Sequence, residues 1–211
     1  MNYKINPWEI EKESMQIISE LLGSKDWPSL KKAIIHRIVH TSGDPDYANW
    51  VEYHPQAFEA GLTALKSGCT IITDVEMVNS GVNKKTLTHL GVKSMCFLNH
   101  PKVYELAQKT GETRSMTAIK LAADQITGSI VAIGNAPTAL FTLLDLCESK
   151  KIKPALIIGT PVGFVGAKES KERLIMEAPV PYITVRGTKG GSPIAAAVIN
   201  ALMYSLVERN D

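Results

Sequence analysis

Residues 129–148 read SIVAIGNAPTALFTLLDLCE, and this stretch decides the fold. A short apolar run, Ser129–Ile133, is followed by the loop Gly134–Thr138 and then by a helical pattern over Pro137–Glu148. A near-continuous apolar strand is typical of a parallel sheet with both faces covered, because a strand with one wet face would alternate apolar and polar residues. The stretch therefore predicts a strand–loop–helix unit of an α/β protein.

The same alternation continues through the rest of the C-terminal two thirds of the chain. Four more strands are predicted at Cys69–Thr73, Ser94–Leu98, Ala155–Ile158 and Tyr182–Val185, and another helix at Pro193–Val207. Right-handed crossovers between five such strands predict a three-layer α/β sandwich with a mainly parallel sheet. The pattern does not determine the strand order.

The N-terminal part of the chain predicts helices. Asn6 and Pro7 are a capping residue and a first-turn proline, and the helix that they begin should end at Gly23. Two more helices are predicted from about Pro28 to Gly43 and from about Pro55 to Lys66. We therefore expect a single domain over residues 1–211, helical over 1–68 and alternating β/α over 69–211.

Composition excludes several classes of protein. The chain has 45% hydrophobic and 21% charged residues, a globular balance. Its 23 basic and 21 acidic residues leave a net charge of +2, too little for a nucleic-acid partner. The three cysteines form no CxxC pair, the N-terminus lacks a secretory pattern, and no apolar run reaches the roughly 20 residues needed to cross a bilayer. We expect a cytoplasmic protein with reduced thiols and no membrane partner.

Ligand-binding residues are expected where the strands end, because ligands of open parallel sheets bind beyond the carboxyl ends of the strands. Glycines, small hydroxyl residues and amides gather at these positions, in Thr73–Asp74, Asn99–His100, Gly134–Thr138, Gly159–Gly166 and Arg186–Ser192. Turn formation alone would also explain any one of these loops. Several at one edge favour a large anionic ligand. Neither a P-loop nor a G-x-G-x-x-G pattern follows a strand, which disfavours ATP and dinucleotides.

Two of the five histidines, His36 and His40, are four residues apart on one predicted helix. That spacing suits a metal pair, but no supporting carboxylate or cysteine stands nearby, so we predict no metal site. His40 stands at the helix end, where an imidazole can donate a proton or a hydrogen bond near neutral pH. A packing or capping role for His40 remains open on the residues alone.

Five stretches together resemble one family, the precorrin-8 methylmutases (precorrin isomerases) of cobalamin biosynthesis. They span nearly the whole chain in the expected order, and they are Arg37–Asp44, Thr73–Val78, Gly134–Leu140, Pro161–Lys171 and Arg186–Ser192 with the alanines that follow. Any one stretch is weakly specific, whereas five in register are highly specific.

The resemblance implies a homodimeric isomerase with a flavodoxin-like sheet and no added cofactor. The reaction would move the methyl group at C-11 of a tetrapyrrole to C-12, giving hydrogenobyrinic or cobyrinic acid. Such a shift needs no nucleophile, only a substrate that is held in shape and polarised. The sequence leaves open whether cobalt sits within the substrate, and we favour the cobalt form.

The same resemblance implies that His40 is the catalytic acid beside the migrating methyl group. The macrocycle carries acetate and propionate arms, which amide-rich loops and cations would bind. The substrate-binding residues expected on these grounds are Ser14, Arg37, Thr73, Asp74, Arg114, Asn135, Ala136, Thr138, Gly163, Phe164, Val165, Arg186, Gly187, Lys189, Gly190, Gly191 and Ser192.

Two other functions are compatible with such loops. A non-catalytic tetrapyrrole carrier would not need His40. An enzyme of a phosphorylated metabolite would use Arg186–Ser192 as an anion cradle.

Overall fold

The computed structural model describes residues 4–23 and 26–207, so residues 1–3, 24–25 and 208–211 of the expected domain lie outside it. The strands are β1 (Val51–Tyr53), β2 (Thr70–Thr73), β3 (Lys93–Cys96), β4 (Ile130–Ile133), β5 (Leu156–Gly159) and β6 (Tyr182–Val185). The helices are α1 (Pro7–Leu22), α2 (Ser29–Ser42), α3 (Tyr47–Trp50), α4 (Ala57–Lys66), α5 (Glu76–Gly81), α6 (Lys84–His89), α7 (Pro101–Thr110), α8 (Arg114–Leu121), α9 (Ala123–Ile126), α10 (Pro137–Ser149), α11 (Ala167–Glu177) and α12 (Ser192–Tyr204).

The described strands form one sheet in the order β3–β2–β4–β5–β6–β1. The five predicted strands, β2 to β6, are confirmed with ends that differ from the prediction by at most two residues, and they are all parallel. Numbered by themselves along the chain, they follow the order 2-1-3-4-5 of the flavodoxin-like arrangement. The order reverses between β2 and β4, so the loops after these two strands lie on either side of the switch point of the sheet.

A sixth strand corrects the predicted sheet of five. Val51–Tyr53 pairs antiparallel with β6, with Val51 opposite Val185 and Tyr53 opposite Ile183. The part of the chain before residue 69 is therefore not purely helical. Three half-buried residues are too few to show a period of two, so the sequence pattern did not reveal this strand.

Two apolar layers enclose the sheet. One contains the inner faces of α2, α4 and α12, and in it Ile38, Leu65 and Val198 have almost no exposed surface. The other lies under α8, α10 and α11, where Leu140 and Leu174 are fully buried. Side chains of each central strand alternate between the two layers. This confirms the predicted three-layer sandwich.

Helix ends follow local chemistry. The Asn6 side chain accepts hydrogen bonds from the Trp8 and Glu9 N–H groups, which caps α1 as predicted. α2 ends where predicted, at Gly43, whose N–H donates to the Val39 carbonyl. None of the described helices combines the length and apolarity needed to cross a membrane.

Candidate active site

The loops predicted to bind a ligand lie side by side at the carboxyl edge of the sheet. Strands β2, β4, β5 and β6 are neighbours, so the loops after them are neighbours too. Gly134 makes this edge compact. A Cβ atom there would lie 2.6 Å from Val78 Cγ2 and 2.8 Å from Ser192 Cα, so only glycine lets α12 begin against the end of β4.

Asp74 holds the loop after β4. Its Oδ1 accepts the Gly134 N–H at 2.9 Å, and its Oδ2 accepts the N–H groups of Asn135 at 2.9 Å and Ala136 at 2.8 Å. The residue is 1% exposed. Burial raises the pKa of its carboxyl, and the three N–H donors act against that rise.

Two of the predicted substrate-binding residues, Asp74 and Thr73, have hydrogen-bond partners within the protein. The carboxylate of Asp74 and the amides of Gly134–Ala136 are already bonded to one another, so they are not free for an arm of the macrocycle. The buried Thr73 hydroxyl likewise donates to the Met95 carbonyl, at 3.3 Å. We assign Thr73 and Asp74 to holding the site in shape, and the exposed side chain of Asn135 remains available.

The loops after β5 and β6 are bonded to each other. The Gly191 N–H donates to the Thr160 carbonyl at 2.8 Å, and the Gly163 N–H donates to the Thr188 carbonyl at 3.0 Å. Gly190 has φ +153°, and a Cβ atom on it would lie 2.4 Å from the Thr160 oxygen. The glycine therefore permits backbone to pack on backbone at a position that the sequence analysis assigned to substrate binding.

Changing Gly190 to alanine should destabilise the protein and raise the KM for substrate. The Cβ atom would collide with two carbonyl oxygens of the β5 loop, and backbone cannot move aside cheaply. We expect a loss of about 2–4 kcal/mol in the free energy of unfolding. Gly187→Ala is the matched control, because Gly187 has φ +75° with no neighbour within 4 Å and should lose only about 1 kcal/mol. If urea unfolding showed the same loss of unfolding free energy for Gly190→Ala and Gly187→Ala, the predicted collision at Gly190 would be wrong.

His40 lies in the last turn of α2 with its side chain exposed. The segment just after it is fastened to the β6 loop, because Lys189 Nζ donates to Asp44 Oδ2 at 2.6 Å. The Tyr47 hydroxyl also donates to the Gly190 carbonyl at 3.4 Å, and Lys189 Nζ lies 4.3 Å from the Trp50 ring centroid. The structure thus brings the helix end of His40 and the loop Arg186–Ser192 to one part of the molecule.

The predicted cations have different surroundings. Arg114 is exposed at the start of α8, where the capping residue Thr113 has its Oγ1 3.1 Å from Thr138 Oγ1. That contact places the start of α8, and with it Arg114, beside Thr138 at the end of the loop after β4. Arg186 Nε donates to Glu52 Oε1 at 2.8 Å, on the strand missed by the prediction. Both cations are exposed, so both can meet carboxylate arms.

Two other predicted residues lie on the N-terminal helices. Arg37 donates to Glu11 at 2.8 Å and lies over the Tyr204 ring, so it joins α2 to α1. The Ser14 hydroxyl donates to the Ile10 carbonyl within α1. Among the described residues, no hydrogen bond links Ser14 or Arg37 to the strand-end loops. Their direct role in binding stays a prediction.

Apolar side chains stand out beside the polar loops. Phe164 is 93% exposed and Val165 is 90% exposed, both in the loop between β5 and α11. Met77, 68% exposed, follows β2 on α5. Large apolar groups on a surface commonly mark a site for an apolar ligand or another subunit.

The two histidines weighed for a metal pair differ in environment. His36 is half-buried, and burial with nearby Lys32 lowers the pKa of its imidazole. Across residues 4–23 and 26–207, no group of three or more His, Cys, Asp or Glu residues is arranged to hold a metal ion.

Sequence reasoning missed Lys171 and Tyr47, which both bond to the β6 loop. For Lys171 a signal existed. It falls four residues after Ala167 and three before Leu174, on the apolar side of α11, where a lysine is out of place.

Known proteins similar to this chain point to one family. Residues 9–205 match the family described as CbiC, precorrin-8X methylmutase. The cobalt-precorrin-8 methylmutase of Leptospira interrogans is 41% identical over 209 residues, which cover 96% of this chain and 95% of the relative. The precorrin-8X methylmutase of Pseudomonas aeruginosa is 46% identical over 167 residues, or 79% of this chain and 80% of the relative. The structure of precorrin-8X methylmutase from Thermus thermophilus has a TM-score of 0.85 at 36% identity and covers 93% of this chain and 94% of its own.

Proposed function

The chain belongs to the precorrin-8X methylmutase family and is an isomerase of cobalamin biosynthesis, and from that premise we propose how its site moves the methyl group. The reaction breaks the bond from the methyl group to C-11 of the macrocycle and forms one to C-12, within one molecule. The observation that carries this function is the match to the family over residues 9–205.

His40 supplies the acid of the reaction in this proposal. Its side chain is exposed in the last turn of α2, and Asp44, just beyond that turn, is bonded to Lys189 of the β6 loop. This contact supports placing the imidazole beside a substrate seated on that loop. Protonating or hydrogen-bonding the ring system withdraws electron density from the migrating centre and lowers the barrier.

The remaining residues hold the substrate in shape. Phe164 and Val165 offer exposed apolar surface for a face of the macrocycle, while Arg114, Arg186 and Lys189 offer positive charge to its arms. Shape and polarisation are all that the shift requires, so we propose that the enzyme uses no added cofactor. Cobalt, where present, arrives as part of the substrate.

We propose cobalt-precorrin-8 as the substrate, since the Leptospira interrogans relative that matches nearly the whole chain is named for it. Purified enzyme should change the absorption spectrum of cobalt-precorrin-8 into that of cobyrinic acid, and turn over the cobalt-free compound more slowly. Binding without a spectral change would instead identify a carrier. Competition by sugar phosphates but not by corrinoids would identify the Arg186–Ser192 loop as a phosphate cradle.

We also propose that the enzyme works as a cytoplasmic homodimer. The macrocycle is wide, and one sheet edge covers only part of it, whereas ligand sites usually bury most of a ligand's surface. The outer side of α1 supports a partner subunit, because Ile10, Ile17 and Leu21 are 42%, 49% and 63% exposed along one stripe. Three free cysteines suit a reducing compartment.

The dimer makes a measurable prediction. If the second subunit helps to enclose each site, product should stabilise the dimer by mass action, and dilution below the dimer dissociation constant should weaken binding. Light scattering with and without cobyrinic acid, repeated over a dilution series, measures both effects. A monomer that binds product tightly at nanomolar protein concentration would show that one chain builds the whole site.

A further inference from the structure

Lys171 is a charged residue with no place in the mechanism above, and it is among the largest fully buried side chains of the described residues. It lies on the inner side of α11, between Ala167 and Leu174, both of which have no exposed surface. A lysine can usually extend its ammonium to water from such a position. This one is only 1% exposed, so its head group stays inside.

The ammonium of Lys171 has a specific acceptor. Its Nζ lies 2.6 Å from the backbone carbonyl oxygen of Lys189 and donates a hydrogen bond to it. That carbonyl immediately precedes Gly190, which packs against the Thr160 carbonyl. The Lys189 side chain in turn reaches Asp44. Lys171 therefore binds the backbone of Lys189, and the side chain of Lys189 connects the β6 loop to the segment after His40.

Stability alone does not explain this lysine. Burial lowers the pKa of the Lys171 ammonium to about 8, because the charge has lost its water. Among the ion pairs of the described residues, none involves Lys171. Glu172 on α11 pairs with Lys168, and Asp145, Glu148 and Glu177 pair with Arg173. A buried charge held by one carbonyl costs folding free energy, so an apolar side chain of similar size should be tolerated by the fold.

We propose that Lys171 is a positioning residue for substrate binding, which holds the Lys189 carbonyl so that the Arg186–Ser192 loop keeps its shape. The inference rests on the proposed role of that loop in binding the arms of the macrocycle. A charge-assisted hydrogen bond is about twice as strong as a neutral one, and this bond fastens the loop at its centre. Lys171 does not touch the substrate; it acts through Lys189.

The test compares Lys171→Met with Lys168→Met, an exposed lysine one turn earlier on the same helix. For Lys171→Met we expect the melting temperature to stay within a few degrees of wild type, and amide hydrogen exchange over residues 187–191 to become at least about tenfold faster. The KM for cobalt-precorrin-8 should rise about tenfold, while kcat changes by less than about threefold. Lys168→Met should match wild type in every readout.

Wild-type exchange in the loop, or a wild-type KM, would overturn the proposal. If Lys171→Met does not fold, Lys171→Gln, which keeps a neutral donor, decides the question by the same two readouts. The exchange measurement needs no substrate, so it fails only if the inference fails. If the wild-type enzyme did not convert cobalt-precorrin-8, the proposed function would be wrong, and this would be visible before any variant is made.

Discussion

Replacing His40 with alanine should leave the fold intact and lower turnover by roughly 10²–10⁴-fold, the usual effect of losing a positioned acid. The side chain is exposed at the end of α2, so its removal opens no cavity and leaves no buried partner unsatisfied. Because the proton or hydrogen bond acts mainly in the transition state, kcat should fall far more than KM rises. Steady-state kinetics on cobalt-precorrin-8, followed by absorbance, measures both.

His36→Ala is the control for that variant. His36 lies one turn earlier on α2, and burial together with Lys32 lowers the pKa of its half-buried imidazole, which disfavours the protonated form needed in an acid. Losing it should affect packing more than chemistry. A His40→Ala enzyme with wild-type turnover would remove the acid role, and equal losses at the two positions would favour a metal pair, against the prediction that this chain has no metal site.

The second large effect is expected at Asp74. Asp74→Ala would leave three backbone N–H groups without an acceptor, two of them buried and that of Asn135 partly buried, at about 1–3 kcal/mol for each buried group before any water enters. We expect a total loss of about 3–5 kcal/mol in the free energy of unfolding, which is large for a single change. The loop after β4 should also lose its shape, so binding of corrinoid should weaken in any enzyme that remains folded.

Asp74→Asn separates the hydrogen bonds from the size of the side chain. The amide oxygen can take the place of Oδ2 and keep the bonds from Asn135 and Ala136, but the NH₂ group then faces the Gly134 N–H. This variant should therefore fall between wild type and Asp74→Ala in urea unfolding. Asp124→Ala, at an exposed position on α9, controls for loss of a negative charge. An Asp74→Ala protein as stable as Asp124→Ala would contradict the role assigned to the carboxylate.

The described strands differ in how well the sequence pattern predicts them. Ile130–Ile133 and Leu156–Gly159 were predictable because four consecutive buried residues leave a continuous apolar run. Val51–Tyr53 was not, since it is short, half-buried and recruited to the sheet by β6. Its residue Glu52 then became the partner of Arg186, a pairing across 134 positions that no local pattern shows.

The candidate site divides in the same way. The position of His40 at a helix end was readable from the sequence, and so was the gathering of glycine-rich loops after the strands. The role of Asp74 was not, because the three N–H groups that donate to its carboxylate lie 60–62 residues further along the chain. The sequence predicted Asp74 as a ligand-binding residue, whereas in the fold its carboxylate holds the loop after β4.

By itself, then, the sequence determined the fold class, the five parallel strands, the first helix ends and, through five stretches in register, the family and its reaction. These features can be predicted from local periodicity, capping residues and motif order, because each of these signals depends on residues close together in the sequence. Only the tertiary structure decided the edge strand β1, the burial of Lys171 against the Lys189 carbonyl, and the collision that keeps Gly190 a glycine. Those depend on which strands become neighbours, and strand order is set by packing the whole core at once, so no single segment contains it.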